Sequence, residues 1–191
     1  MIRTGVQILL SLIIVWQAVG ALRTFTPHRD RRRRLSLLTV GAFWVVVFGS
    51  GAAELFPWGM IFGIPGLLAA LALFEWARRT IRGRFFSYIN SEDLPQFLCA
   101  SGPFRYVRHP FYSSYLLSAA SAAIMFPNLV TIVGFAVAAF GFNEAARFEE
   151  QKFAGSPVAQ EYAAYKQHTG RFLPHRDTWR AGFSTHGTSV P

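Results

Sequence analysis

Residues 111–142 read FYSSYLLSAASAAIMF-PN-LVTIVGFAVAAFGF and contain no formally charged side chain. Pro127-Asn128 divides this stretch into uncharged segments of sixteen and fourteen residues, and such a pair between two apolar runs is a turn signal. We therefore predict two helices that form a hairpin in the membrane. Each arm is short for a full crossing, which takes about 20 residues, unless flanking residues extend it or the bilayer thins locally.

Three longer apolar runs precede the hairpin and carry no formal charge: Gly5 to Leu22, Leu35 to Ala53 and Leu55 to Phe74. Each has about the length of a membrane-crossing helix. The first run could instead be a signal peptide with a small-residue site at Ala18-Val19-Gly20, but the arginines that follow favour a retained span. The sequence thus predicts an all-α integral membrane protein with about five membrane helices, the last two a hairpin.

Composition supports this class and disfavours three others. Of the 191 residues, 52% are hydrophobic and only 15% are charged, so the chain has too much apolar mass for a disordered protein. A single cysteine, Cys99, excludes a disulfide scaffold. The net charge of +9 lies between the apolar runs, which favours a membrane surface and argues against a nucleic-acid partner.

The distribution of Lys and Arg predicts the orientation, because these residues accumulate on the cytoplasmic side of membrane proteins. Six lie in 22–34, six in 77–108 and six after Phe142, whereas only Arg3 lies before the first run. We therefore expect the N-terminus outside and the C-terminus in the cytosol. The expected organisation is one domain over 1–174 and a tail over 175–191; within the domain we expect three spans in 1–76, a cytosolic loop in 77–110, the hairpin in 111–142 and a cytosolic helical segment in 143–174.

The candidate chemistry lies in the predicted cytosolic parts, on both sides of the hairpin. Pro110 suits the first position of a helix, which leaves His109 at the helix mouth, where free backbone N–H groups suit an anionic ligand group. After the hairpin, Asn143, Arg147 and Glu150 share one predicted helix face at i, i+4 and i+7, and Glu149 lies about 100° around the helix. The two adjacent carboxylates could hold a cationic ligand.

These motifs resemble a known family. The stretch Gly102-Pro103-Phe104-Arg105-Tyr106-Val107-Arg108-His109-Pro110-Phe111-Tyr112, a hydrophobic hairpin and then Glu149-Glu150 are similar to the isoprenylcysteine carboxyl methyltransferase family and the related phospholipid methyltransferases. The later residues Glu161-Tyr162, Tyr165 and Arg171-Phe172-Leu173-Pro174 match that family's C-terminal pattern. The resemblance covers about Gln96 to Pro174.

The resemblance implies an integral membrane enzyme that uses S-adenosyl-L-methionine, with a site formed by the cytosolic helical part and no metal. The cofactor-binding residues that it implies are Gln96, Phe97, Leu98, Cys99, Gly102, Phe104, His109, Pro110, Phe111, Tyr112 and Glu149. Arg147, as a clamp for an acidic substrate headgroup, and Glu150 are the catalytic candidates. The chain departs from the family pattern at Gln96, where histidine is common, at Phe104, where tyrosine is usual, and at Ser114, where glycine is common.

The expected function is methyl transfer at the membrane–cytosol interface to a lipophilic acceptor, with a prenylcysteine-like carboxylate as one candidate. Phospholipid N-methylation and thiol S-methylation are alternatives within the same class. A membrane reductase with a nicotinamide cofactor and a non-catalytic membrane scaffold are alternatives of other classes. The expected partners are the lipid bilayer and the lipophilic acceptor. We also expect Arg108 to anchor on lipid phosphate.

Overall fold

The computed structural model describes residues 1–24, 49–50, 54–81 and 94–175. Within these ranges the chain is helical and contains no strand; its β-type pairing there is an isolated parallel bridge between Val107 and Gly170. The elements are α1 (Ile2–Thr24), a 3-10 turn (Pro57–Gly59), α2 (Met60–Thr80), a 3-10 turn (Gly102–Arg105), α3 (Pro110–Met125), α4 (Leu129–Ala154) and α5 (Ala159–His168). The prediction of an all-α chain is confirmed.

Three helical segments are long and apolar enough to cross a membrane: Ile2–Ala21, Pro57–Thr80 and Leu129–Ala154. Large apolar side chains such as Leu12, Phe62 and Val133 are exposed on them, as lipid-facing residues would be. These segments indicate an integral membrane protein in a lipid bilayer. The predicted span Leu35 to Ala53, apart from its residues 49 and 50, lies outside the described residues, as do the arginines of 29–34 and most of the predicted tail.

The hairpin is formed by α3 and α4, and its turn is held by a capping box. The Asn128 side chain accepts hydrogen bonds from the backbone N–H groups of Val130 and Thr131, and the Thr131 hydroxyl accepts one from the Asn128 N–H. Beyond Phe142, α4 continues without a break to Ala154. The second arm is therefore extended by flanking residues, and the glutamate pair lies on the same rigid helix as the membrane arm.

Small residues bring α2 and the turn before it very close to α3. A Cβ atom added at Gly59 would lie 2.3 Å from the Ile124 carbonyl oxygen, and one added at Gly63 would lie 2.2 Å from Met125 Cγ. Close backbone approach at small residues is a principal way in which helices associate in lipid, because the hydrophobic effect does not drive helices together there. This packing fixes the position of α3 relative to α2.

Because the atom facing Gly59 belongs to the backbone of α3, the substitution Gly59→Ala is expected to destabilise the protein by about 1–3 kcal/mol through overpacking. Gly5→Ala is the matched control, since nothing lies within 4 Å of an added Cβ there. Thermal unfolding in one detergent measures both variants. Equal melting temperatures for the two would contradict the described approach of the backbones.

The glycine that begins the 3-10 turn Gly102–Arg105 lies against the end of α2. Gly102 has a φ of +57°, in the left-handed region that glycine adopts without strain. A Cβ at this position would lie 2.2 Å from Thr80 Oγ1 at the end of α2. The turn therefore needs glycine both for its dihedral angle and for its space, and it starts the chain toward the mouth of α3.

Candidate functional site

Side chains from three segments meet where α3 begins and α4 nears its end. We call this group the carboxylate cluster; it consists of Arg108, His109, Tyr112, Glu149, Glu150 and Arg171. Pro110 is the first residue of α3 and His109 caps it, so the predicted helix mouth is confirmed. Since His109 and Tyr112 are one turn apart, both face α4.

Glu149 is the more exposed of the two carboxylates in the cluster. Its Oε1 accepts a hydrogen bond of 2.6 Å from the Tyr112 hydroxyl, and its Oε2 lies 3.1 Å from His109 Nδ1. The side chain keeps 24% of its surface exposed. The His109 and Tyr112 rings stack at 5.5 Å, 9° from parallel. Glu149 is thus a carboxylate held in a defined orientation while one side of it remains accessible.

Glu150 lies deeper and is surrounded by cations. Its Oε1 is 3.0 Å from Arg108 Nε, and the Arg171 guanidinium donates to both of its oxygens, at 3.0 and 2.9 Å. Lys166 Nζ lies 3.5 Å from Oε2. The Glu150 side chain is 5% exposed. Bidentate, charge-assisted bonds of this kind are among the strongest in proteins, so they offset much of the cost of burying the charge.

His109 lies between the two carboxylates. Its Nε2 is 3.4 Å from Glu150 Oε1, yet this buried nitrogen has no partner with hydrogen-bond geometry among the described residues. Burial lowers the pKa of His109, but hydrogen bonding to Glu149 and the charges of Glu149 and Glu150 outweigh it, and the pKa lies above the ordinary 6.5. The folded protein therefore keeps His109 protonated to a higher pH than the unfolded chain does.

A raised pKa predicts a pH-dependent stability. Protonated His109 stabilises the fold, so its contribution is complete below about pH 6.5 and is lost as pH rises through the higher pKa of the folded state. We expect the stability difference between wild type and His109→Gln to shrink as pH increases above 6.5. Thermal unfolding at stepped pH values measures it. His168→Gln, at an exposed histidine, is the comparison variant.

Aromatic rings line the apolar side of the cluster. The Tyr112 ring stacks on Phe142 at 5.0 Å, and Phe142 stacks on Tyr115 at 5.5 Å. These rings continue the site from the polar cluster toward the membrane arm of the hairpin. An apolar ligand part would meet rings there, and a charged part would meet the cluster.

A second group of predicted residues packs beside the cluster. Cys99, Phe104 and Phe111 are buried together against Phe74 of α2. The Tyr165 hydroxyl donates a hydrogen bond of 2.5 Å to the Phe104 carbonyl, and burial raises the pKa of Tyr165, so the phenol stays neutral at pH 7. This contact holds α5 against the 3-10 turn Gly102–Arg105.

The remaining predicted residues are distributed differently. Gln96 and Phe97 are exposed, Leu98 is partly buried, and the segment lies near the end of α4, where an added Gly155 Cβ would be 3.9 Å from Leu94. Arg147 lies apart from the cluster: its side chain is 59% exposed and pairs with Glu144 at 3.2 Å. Asn143 and Glu150 do share a face, because Arg171 bonds to both.

Two arginines of the cluster were not recognised from the sequence. The expectation that Arg108 anchors on lipid phosphate is wrong, since its side chain is 9% exposed and pairs with Glu150. It also donates to the backbone carbonyls of Lys166 and Thr169. Arg171 was noticed only as part of a C-terminal pattern. A buried glutamate needs a cation beside it. The available signal in the sequence was the arginine of the Arg171-Phe172-Leu173-Pro174 pattern.

Residues 63–155 match the model of the isoprenylcysteine carboxyl methyltransferase (ICMT) family. Residues 63–155 are thus similar to the ICMT family. No curated protein matches the chain.

The ICMT match begins in α2, earlier than the resemblance predicted from the sequence, and ends at the turn after α4. It spans just under half of the chain and contains all of the carboxylate cluster except Arg171. The predicted resemblance to this family is confirmed for these residues, and the match suggests a membrane methyltransferase.

Proposed function

We propose that the protein transfers a methyl group from S-adenosyl-L-methionine to a lipophilic acceptor with an anionic head. The observation that carries this proposal is the partly exposed Glu149 carboxylate, held by His109 and Tyr112 near the end of a hairpin that matches the ICMT family model. The site would stand where a polar cofactor from the cytosol and an apolar acceptor from the lipid can meet. This placement accords with the Lys and Arg distribution, from which we infer a cytosolic C-terminus.

The residues present fit such a cofactor. S-adenosylmethionine carries an ammonium, a carboxylate and a positively charged sulfur. Glu149 offers an accessible carboxylate for a cationic group. His109 has a buried ring nitrogen without a hydrogen-bond partner among the described residues, and an orphan of this kind is a natural contact for a ligand atom. Of the segment Gln96, Phe97, Leu98 and Cys99, the first two side chains are exposed, and Cys99 packs with Phe104 and Phe111 beside the cluster.

The chemistry that the cofactor supplies when bound is an activated methyl group on sulfur. The protein's part is to hold the two reactants in line, which can account for about 7–11 kcal/mol of the barrier. Glu149 would bind and orient the cofactor, with His109 and Tyr112 keeping the carboxylate in place. The rings of Tyr112, Phe142 and Tyr115 would exclude water on the apolar side.

Charge favours an anionic acceptor over an amine. Around Glu150, Arg108, Lys166 and Arg171 carry three positive charges against the two carboxylates Glu149 and Glu150, and protonation of His109 adds a further positive charge. Arg171 and Lys166 keep 28% and 51% of their side chains exposed, so they can meet an incoming headgroup. A carboxylate is already deprotonated at pH 7, whereas an amine must first lose a proton to a base.

Calorimetric titration of S-adenosylmethionine and its demethylated product into folded, detergent-purified protein tests the cofactor. We expect micromolar binding of both. If neither binds while a nicotinamide cofactor does, the reductase alternative replaces this proposal, and binding of none of them supports a scaffold.

A radiolabelled methyl donor then tests the acceptor. A prenylated thioether carboxylate, phosphatidylethanolamine and a small thiol are offered in parallel. We expect label in the carboxylate. Label in phosphatidylethanolamine or in the thiol alone would overturn the choice of an anionic acceptor while leaving methyl transfer intact.

A further inference from the structure

The segment Thr169–Leu173, which we call the strap, lies across the start of α3. The backbone N–H of Arg108 donates to the Gly170 carbonyl at 2.8 Å, and that of His109 donates to the Arg171 carbonyl at 3.1 Å. N–H groups at a helix start have no partner within the helix. The strap therefore satisfies backbone donors immediately before the helix that carries the site.

One strap side chain enters the aromatic part of the site. Phe172 packs against the cluster of Tyr112 and Phe142, and its ring centroid lies 6.1 Å from that of His109. The Ser113 hydroxyl donates to the Phe172 carbonyl at 2.7 Å. His109 is thus in contact with Tyr112 from its own helix and with Phe172 from the strap.

The charged side chains that hold the strap converge on one buried anion, Glu150. Arg171 donates to both Glu150 oxygens and to Asn143 Oδ1 at 2.9 Å. Arg108, which also bonds to Glu150, donates to the Thr169 carbonyl. Glu150 is therefore bonded both to the first part of the strap, through Arg108, and to its middle, through Arg171.

Glu150 has little capacity left for a ligand. Both of its oxygens accept bonds from guanidinium groups, His109 and Lys166 lie within 3.5 Å, and 5% of the side chain is exposed. Glu149, its neighbour, keeps about a quarter of its surface accessible. The two adjacent glutamates are therefore in different environments, and only Glu149 can meet an incoming molecule without the cluster being rearranged.

We propose that Glu150 is a positioning residue: it docks the strap onto the start of α3, and the docked strap brings Phe172 and Arg171 to the wall of the site. Its importance for turnover rests on the proposed function, whereas the docking itself does not. Without the Glu150 charge, the strap would lose its bidentate anchor, and His109 would lose both a backbone acceptor and a ring contact.

Hydrogen–deuterium exchange of the full chain, without any cofactor, tests the docking. In Glu150→Gln and Arg171→Gln we expect exchange at the amides of Arg108 and His109 to rise by about tenfold or more, since charge-assisted bonds of this strength set the local opening equilibrium. Arg147→Gln on the same helix is the matched control and should leave exchange unchanged. Peptides from α2 report whether each variant remains folded.

Arg171→Lys distinguishes positioning from a general loss of structure. It keeps the charge and one bond to Glu150, so most of the protection at Arg108 and His109 should return. The Arg171 side chain is partly exposed, and its replacement leaves the Arg108–Glu150 pair in place, so Arg171→Gln should still fold. Unchanged exchange at these amides in Arg171→Gln would overturn the proposal. So would a Glu150→Gln variant that loses turnover with the strap fully protected, because Glu150 would then act on the ligand directly. Absence of methyl transfer in wild type would overturn the proposed function but not the docking.

Discussion

Replacing Glu149 by glutamine is expected to weaken the binding of S-adenosylmethionine by about tenfold or more, because a charge-assisted bond contributes roughly 1.5–3 kcal/mol. The amide keeps the shape of the side chain and can still accept a hydrogen bond from the Tyr112 hydroxyl. It removes the negative charge that faces the open side of the cluster. His109→Ala should have an effect of similar size, since it removes both the orphan ring nitrogen and the partner that orients Glu149.

Glu144→Gln is the matched control for this change. Glu144 lies on the same helix, and its carboxylate pairs with the exposed Arg147. Titration calorimetry of the three variants and wild type in one detergent gives the comparison. Normal affinity in both Glu149→Gln and His109→Ala would refute the assignment of the cofactor site, whereas equal losses in Glu144→Gln would indicate a general effect of charge.

Arg108→Ala is expected to lower the free energy of unfolding by about 3 kcal/mol, since removal of one partner from a buried ion pair leaves the other charge uncompensated. Arg108 and Glu150 have side chains that are 9% and 5% exposed. The value is placed at the lower end of the usual range because Arg171 still pairs with Glu150. The bonds from Arg108 to the carbonyls of Lys166 and Thr169 are lost as well.

The exposed Arg105, three residues earlier in the same motif, provides the control. Arg105→Ala should change stability by only about 0.5 kcal/mol or less, as exposed substitutions usually do. Denaturant titration in mixed micelles measures both. If the two variants lost the same stability, Arg108 would be a surface residue that contacts lipid, and the buried pair would be refuted.

The hairpin shows how far local sequence reaches. Pro127-Asn128 between two apolar runs was enough to predict two helices and their turn, because proline and asparagine act on their immediate neighbours. The length of α4 was less accessible, since the change from apolar to charged residues after Phe142 suggests a new segment. The backbone has no reason to break there, and it continues until Gly155-Ser156-Pro157.

The candidate site divides in the same way. His109, Tyr112 and Glu149 were identified from the motif, and the structure brings them within hydrogen-bond distance. The two arginines were not placed correctly: the Arg147 side chain is 59% exposed and pairs with Glu144, whereas the Arg108 side chain is 9% exposed and pairs with Glu150. Helix spacing alone places Arg147 beside Glu150. In the structure the Arg147 guanidinium instead forms an ion pair with Glu144, three residues earlier on the same helix.

By itself, the sequence determined the helical class, the membrane environment, the hairpin and the family of residues 63–155, since each follows from composition or from residues adjacent along the chain. Only the tertiary structure decided which glutamate is enclosed, which arginines surround it and that the strap covers His109. Those contacts join residues 21 to 61 positions apart. They depend on how α3, α4 and the strap are packed, and no local pattern in the sequence specifies contacts between residues so far apart along the chain.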